Sequence, residues 1–186
     1  RPLLTQVRRF DPWKDPIGVI DAYRQVTEQV SDVQLAMVGS MASDDPEGRE
    51  YFQKTYEYAD NDPDIKILSN LNNVGAIEVN AFQSQSDICL QKSIREGFGL
   101  TVTEALWKGR PTIGGNVGGI PLQIEDGVSG FLVNSPEECA RRSLEILRDS
   151  GLGKSLGREG KEHARREFLS PRLLRDWLDL LNRLDT

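Results

Sequence analysis

Short apolar runs alternate with helix-length amphipathic stretches along most of this chain, and that rhythm restricts its fold more than any single motif. Residues 3–7, 33–38, 65–68, 88–90, 112–113 and 131–133 read as strands. Residues 17–30, 48–59, 74–84, 100–108 and 137–147 carry apolar side chains at helical spacing. Strands separated by helices predict repeated β-α-β units and a parallel sheet, with right-handed crossovers. The predicted class is α/β, a Rossmann-like parallel sheet with helices on both faces. Punctuation agrees with these bounds. Gly39 follows the second run, Asp44-Asp45-Pro46-Glu47 reads as a helix start, and Gly109 reads as a helix stop. In the tail, Leu173, Trp177, Leu180, Leu181 and Leu184 share one helical face, which reads as a packing surface.

At 186 residues the chain can bury one substantial core. Its net charge is −6, from 23 Lys and Arg against 29 Asp and Glu. An acidic chain is a poor partner for nucleic acid, whose binding rests on basic surface. Any anionic ligand must therefore be met by a local cluster of cations. No apolar run approaches the roughly 20 residues of a membrane span, so no membrane partner is expected. Cys89 and Cys139 lack metal-ligand spacing and read as reduced thiols of a cytoplasmic protein. The chain opens at Arg1-Pro2 without Met, and an excised domain of a longer protein is expected.

Ligands of open parallel sheets collect beyond the carboxyl ends of the strands, which marks out the stretches after the first, fourth and fifth. The first is Arg8-Arg9-Phe10-Asp11-Pro12-Trp13-Lys14. Its cations suit a diphosphate, although such a run also reads as a solvated basic turn. The second is Arg95-Glu96-Gly97-Phe98-Gly99-Leu100-Thr101-Val102-Thr103-Glu104-Ala105, a glycine-containing loop opening a helix. A helix start offers unpaired N–H donors and partial positive charge to a phosphate. Glu96 and Glu104 can accept hydrogen bonds from hydroxyls on either side of it. Phosphate donors beside hydroxyl acceptors are what a nucleotide sugar needs, while Gly-x-Gly alone is weak evidence. The third is Gly114-Gly115-Asn116-Val117-Gly118-Gly119-Ile120-Pro121, where the backbone approaches either a ligand or a neighbouring loop, or simply turns. His163, the one histidine, reads as a solvated helix position. Asp60-Asn61-Asp62 and Asp44-Asp45 read as a turn and a cap, so no metal is expected.

Glu96-Gly97-Phe98-Gly99 with Glu104 resembles the Glu-x7-Glu signature of retaining glycosyltransferases of the GT-B architecture. Arg9 and Lys14 are similar in place to that family's diphosphate-holding pair. Val117-Gly118-Gly119-Ile120-Pro121 resembles its loop near the donor sugar, and Asp126-Gly127 through Gly130-Phe131-Leu132-Val133 the segment that follows. The resemblance spans the chain and is to the C-terminal, donor-binding half, with residues 1–186 as one donor domain and an acceptor domain lying N-terminal to it. Arg9-Phe10-Asp11-Pro12-Trp13-Lys14 and Ser93-Ile94-Arg95-Glu96-Gly97-Phe98-Gly99-Leu100 most resemble the trehalose-forming branch. Trehalose phosphorylases are related, and a non-catalytic Rossmann-like module is the reading from another class.

The resemblance implies roles. Arg9, Lys14 and Glu96 would be catalytic, the first two neutralising the leaving diphosphate and Glu96 binding sugar hydroxyls. Gly97, Phe98, Gly99, Leu100, Thr101, Gly118 and Gly119 would bind the donor, and Glu104 its ribose. The donor would be a nucleoside-diphosphate glucose, a substrate rather than a cofactor, with neither cofactor nor metal required. The sugar acceptor would sit mainly on the N-terminal half, and the full-length enzyme is compatible with a homodimer. Two departures stand out: Asp15 replaces the usual glycine after Lys14, and Leu122-Gln123 replaces the Glu-Ile that often follows Gly-Gly-Ile-Pro.

Overall fold

The computed structural model describes residues 1–41 and 44–184. Six parallel strands form one sheet: β1 (Leu3–Arg9), β2 (Gln34–Ser40), β3 (Ile65–Ser69), β4 (Ile88–Gln91), β5 (Thr112–Gly115) and β6 (Phe131–Val133). Their order is β3-β2-β1-β4-β5-β6, so the winding reverses between β1 and β4. The helices are α1 (Pro16–Thr27), α2 (Pro46–Tyr58), α3 (Ala76–Gln85), α4 (Leu100–Trp107), α5 (Ile120–Gln123), α6 (Pro136–Arg148), α7 (Ser150–Glu167) and α8 (Ser170–Leu184). The expected Rossmann-like sheet is the one observed.

Both faces of the sheet are covered. Phe131 and Val133 join the core formed with α1 and α6, which includes Leu4, Ile20, Leu35 and Leu144. Leu132, between them, packs with Val102, Leu106, Ile120 and Ala164 of α4, α5 and α7. Because side chains alternate across a strand, these clusters lie on opposite faces. That double burial is why β2 and β4 read as continuous apolar runs.

Helix starts follow one local rule. Asp15, Asp45 and Ser135 each precede a proline and accept a hydrogen bond from the backbone N–H of Gly18, Gly48 and Glu138 respectively. The side chain supplies an acceptor to an otherwise unpaired amide, and proline lacks the amide that would need one.

Several bounds differ from expectation. β1 runs on through Arg9, because Arg8 and Arg9 pair with Gly39 and Ser40 of β2. The two arginines therefore end the strand rather than follow it. Gly114 and Gly115 likewise lie within β5. Of helix α7 only the stretch around His163 reads as helical in the sequence, because the remainder is charged and glycine-rich. Its glycines are a packing surface: a Cβ on Gly157 would stand 2.2 Å from the Gly109 carbonyl oxygen. The tail face of α8 was expected to pack, yet Leu173, Trp177, Leu180, Leu181 and Leu184 are exposed.

Leu35 is fully buried in the larger core. Leu35→Ala is expected to lower the unfolding free energy by about 2–5 kcal/mol, read from urea denaturation. Burial pushes the thiols of Cys89 and Cys139 up to about 12. Both should resist iodoacetamide in the native chain at a pH of about 8, near the ordinary thiol pKa, and react in urea. Rapid native labelling, seen by mass spectrometry, would contradict their placement.

Candidate functional site

A cavity of about 700 Å³ opens at the carboxyl ends of β1 and β4, where the winding reverses. Such a volume accommodates a substantial small molecule. Its lining includes the polar and charged residues Arg9, Lys14, Gln91 and Glu96. Val74, Ala76 and Val79 line it as well, with Ser40 and Asn70. The start of α4 (Gly99, Leu100 and Thr101) forms a further wall, together with Phe98.

Lys14 is set by its local turn. Asp11 caps a single turn of 3₁₀ helix, Pro12–Lys14, by accepting from the Lys14 amide at 3.2 Å. Gln6, fully buried in β1, donates to the Lys14 carbonyl at 2.8 Å. The Lys14 ammonium pairs with Glu96, and the two side chains are 16% and 9% exposed. Ser93 also donates to Glu96 at 3.3 Å, and Gln91 at 3.5 Å. Burial alone would raise the Glu96 pKa, but the bonds from Lys14, Gln91 and Ser93 outweigh it and hold it below the usual carboxylate value. The carboxylate is thus ionised at neutral pH.

Gly99 is the N-cap of α4 at φ 87°, a left-handed conformation that suits glycine, and it offers no side-chain cap. The first amides of α4 therefore lack a capping side chain, and this end of the helix carries partial positive charge toward the cavity.

Behind the loop, residues 115–123 press against residues 93–98. The Gly119 amide donates to the Gly97 carbonyl at 2.7 Å. Gln123, fully buried, donates to the Phe98 carbonyl and accepts from the Thr103 hydroxyl. A Cβ on Gly118 would stand 1.8 Å from the Glu96 carbonyl oxygen, and one on Gly115 2.1 Å from that of Ser93. The glycine-rich segment therefore approaches a neighbouring loop, one of the alternatives its sequence left open.

The structure thus gathers Arg9, Lys14, Glu96, Phe98, Gly99, Leu100 and Thr101 around one cavity. Gly97, Gly118 and Gly119 do not line it; the last two stand behind the loop. Glu104 lies one turn further along α4, accepting from Gln83 of α3 at 2.9 Å, outside the cavity lining. Sequence reasoning passed over Gln91, and it marked Lys92 and Ser93 only as the start of a stretch after an apolar strand, with no role for either. It also passed over Arg8 as distinct from Arg9. Strand alternation puts Arg8 on the α1 face, where its guanidinium stacks 4.4 Å from the Phe10 ring centroid. Burial depresses its pKa to about 9, against the opposing pull of Asp11 and Asp15.

A family model, "Glycosyl transferases group 1", matches residues 1–163. The chain belongs to the group 1 glycosyl transferases. Trehalose synthase of Rubrobacter xylanophilus is 60% identical over 184 residues, 99% of this chain and 44% of that protein. Trehalose synthase of Thermococcus litoralis is 52% identical over 182 residues, 98% of this chain and again 44% of that protein. The chain thus spans less than half the length of these relatives. Among solved structures, Anabaena HepE in complex with UDP and glucose superposes with a TM-score of 0.83 at 21% identity, over 97% of this chain and 48% of that one. That likeness concerns the fold alone.

Gln123 and Leu122 make a sharp pair for mutation. Gln123→Leu strips the Phe98 carbonyl and the Thr103 hydroxyl of a buried partner, and is expected to cost about 1–3 kcal/mol of stability. Leu122→Ala, at an exposed neighbour, should stay within about 0.5 kcal/mol. Chemical denaturation of the two variants side by side tests the difference.

Proposed function

We propose that this chain holds the donor of a glycosyl transfer, a nucleoside-diphosphate glucose, by its diphosphate. Together with an N-terminal acceptor half it transfers glucose, with retention, to a second glucose to form trehalose. The observation that carries the reading is the convergence of Arg9, Lys14 and the uncapped start of α4 on one cavity that also contains the ionised Glu96. The identity to trehalose synthases supports the choice of sugar and product.

The chemistry follows from charge. Donor binding places phosphate oxygens where Lys14 exchanges Glu96 for an anion of higher charge. Glu96, released, becomes an acceptor for sugar hydroxyls. As the bond from C1 of glucose to the phosphate oxygen breaks, negative charge collects on the diphosphate. Arg9, Lys14 and the α4 amides stabilise it there, which is the main electrostatic task of the reaction. The acceptor hydroxyl adds to C1 on the face the phosphate leaves, and its proton passes to the departing phosphate oxygen. No protein base is required, and no metal, because the cations and helix start supply the positive charge. The wall of Val74, Ala76 and Val79, with Ser40 and Asn70, suits the nucleoside. Glu104, whose Oε2 accepts from Gln83, keeps its second oxygen as an acceptor for the ribose.

In the full-length enzyme, supply of nucleoside-diphosphate glucose and glucose should yield α,α-linked trehalose by NMR. Lys14→Met and Glu96→Gln should each lower kcat about 100- to 1,000-fold. Release of glucose 1-phosphate from trehalose and inorganic phosphate instead would assign the chain to a phosphorylase. The chain by itself should bind donor weakly and transfer nothing, and trehalose made by the chain alone would defeat that expectation.

A further inference from the structure

Lysine is among the residues least often buried, and a buried ion pair is seldom kept for stability, because desolvation offsets the attraction. Lys92 nevertheless follows β4 with its side chain 4% exposed, paired to the Asp15 carboxylate at 20% exposed. Asp15 bears a second cost. Its φ of 49° lies in the left-handed region that glycine enters without strain. Strain and buried charge thus coincide at the residue after Lys14, and such costs cluster where geometry must be fixed.

What the pair connects is specific. Asp15 ends the turn that presents Lys14 and caps α1 by accepting from the Gly18 amide at 3.1 Å. Lys92 stands between Gln91 and Ser93, both of which donate to Glu96. The ion pair therefore bolts the turn carrying Lys14 to the strand end carrying the supports of Glu96, across the seam where β1 and β4 separate. Lys92 itself does not line the cavity.

We propose that Lys92 is a positioning residue for the anion-binding end of the cavity: through Asp15 it fixes Lys14, and so sets the affinity for the donor's diphosphate without touching it. This rests on the donor-binding reading above.

The test is calorimetric titration of the full-length enzyme with UDP and with ADP, beside thermal melts. Lys92→Met alone leaves a buried carboxylate unpaired, so the informative variant is Asp15→Gly with Lys92→Met, which removes both charges and the strain. It should melt at or above the parent temperature yet bind nucleotide about ten-fold more weakly. In a Lys14→Met background the same double change should cost almost nothing further, because its effect passes through Lys14. A double variant that keeps parental affinity overturns the proposal. So does a loss that persists undiminished in the Lys14→Met background. If the parent binds neither nucleotide, or Lys14→Met binds as the parent does, the donor reading itself fails and takes this proposal with it.

Discussion

β1 and β4 are paired for only part of their length, and the cavity depends on that. Their register joins Leu4 to Ile88 and Thr5 to Cys89 and goes no further. β1 meanwhile continues beside β2 as far as Arg9 and Ser40. Because the strand order reverses at this seam, the chain leaves β1 and β4 in opposite directions, and the crossovers do not cover the gap. Val7, Arg9 and Gln91 border it. The Gln91 carboxamide oxygen, buried and without a hydrogen-bond partner among the described residues, shows what incomplete pairing leaves behind. Buried polar groups are ordinarily satisfied, so an orphan beside a large opening belongs with a site and not with a core.

The electrostatics answer a problem set by composition. On the donor-binding reading, a chain of net charge −6 has to receive an anion. Around the turn at residues 11–15 two of its cations are answered already, Lys14 by Glu96 and Lys92 by Asp15, whereas Arg8 is buried with one guanidinium nitrogen unpartnered among the described residues. Among the described residues, Arg8, Arg9 and the start of α4 are the positive groups at the cavity without a paired carboxylate. On the donor-binding reading, Lys14 gains only the difference between a phosphate and the carboxylate it gives up. At an effective dielectric near that of a protein surface a unit pair at contact is worth about 4 kcal/mol, so that difference is modest. Arg9 and the helix start then carry first capture, and Lys14 matters most as charge grows on the leaving group.

Much of this was legible in the residue order, for reasons that differ by feature. Strands buried on both faces announce themselves as apolar runs, and the aspartate-proline and serine-proline steps at residues 15–16, 45–46 and 135–136 mark helix starts by local chemistry alone. Arg9 was legible as a cation near a strand end, but its role relative to Arg8 depends on which face of β1 each occupies. That alternation shows only once Leu4 and Gln6 are known to be buried. For Gly118 and Gly119 the donor-binding role came from the resemblance, while the residues alone left a ligand, a neighbouring loop or a plain turn open, because sequence shows that a side chain is absent and not what occupies the space. Here a loop backbone fills it. Lys92 was legible as a residue just after a strand, but not its pairing, since Asp15 lies 77 positions away.

The two places where the chain departs from the pattern it resembles have a common logic. At position 15 the pattern's glycine would take the left-handed turn without strain, and Asp15 takes it with a carboxylate that reaches Lys92. At position 123 an aliphatic side chain would fill the space, and Gln123 fills it with an amide that holds the Phe98 carbonyl and Thr103. The Asp15 and Gln123 changes swap a flexible or apolar solution for a buried polar tie, and each tie ends one residue from a group that borders the cavity or within that group; Leu122, exposed, stands instead where the pattern has a carboxylate. Buried ties of this kind do little for net stability when complete and cost much when broken. Their effect is to narrow the range of positions open to Lys14 and to the Phe98–Gly99 loop. A site already ordered before its ligand arrives loses less conformational freedom on binding. The Asp15 and Gln123 departures thus act on how firmly the neighbouring groups are held, while the Leu122 departure takes a carboxylate away from the loop beside them.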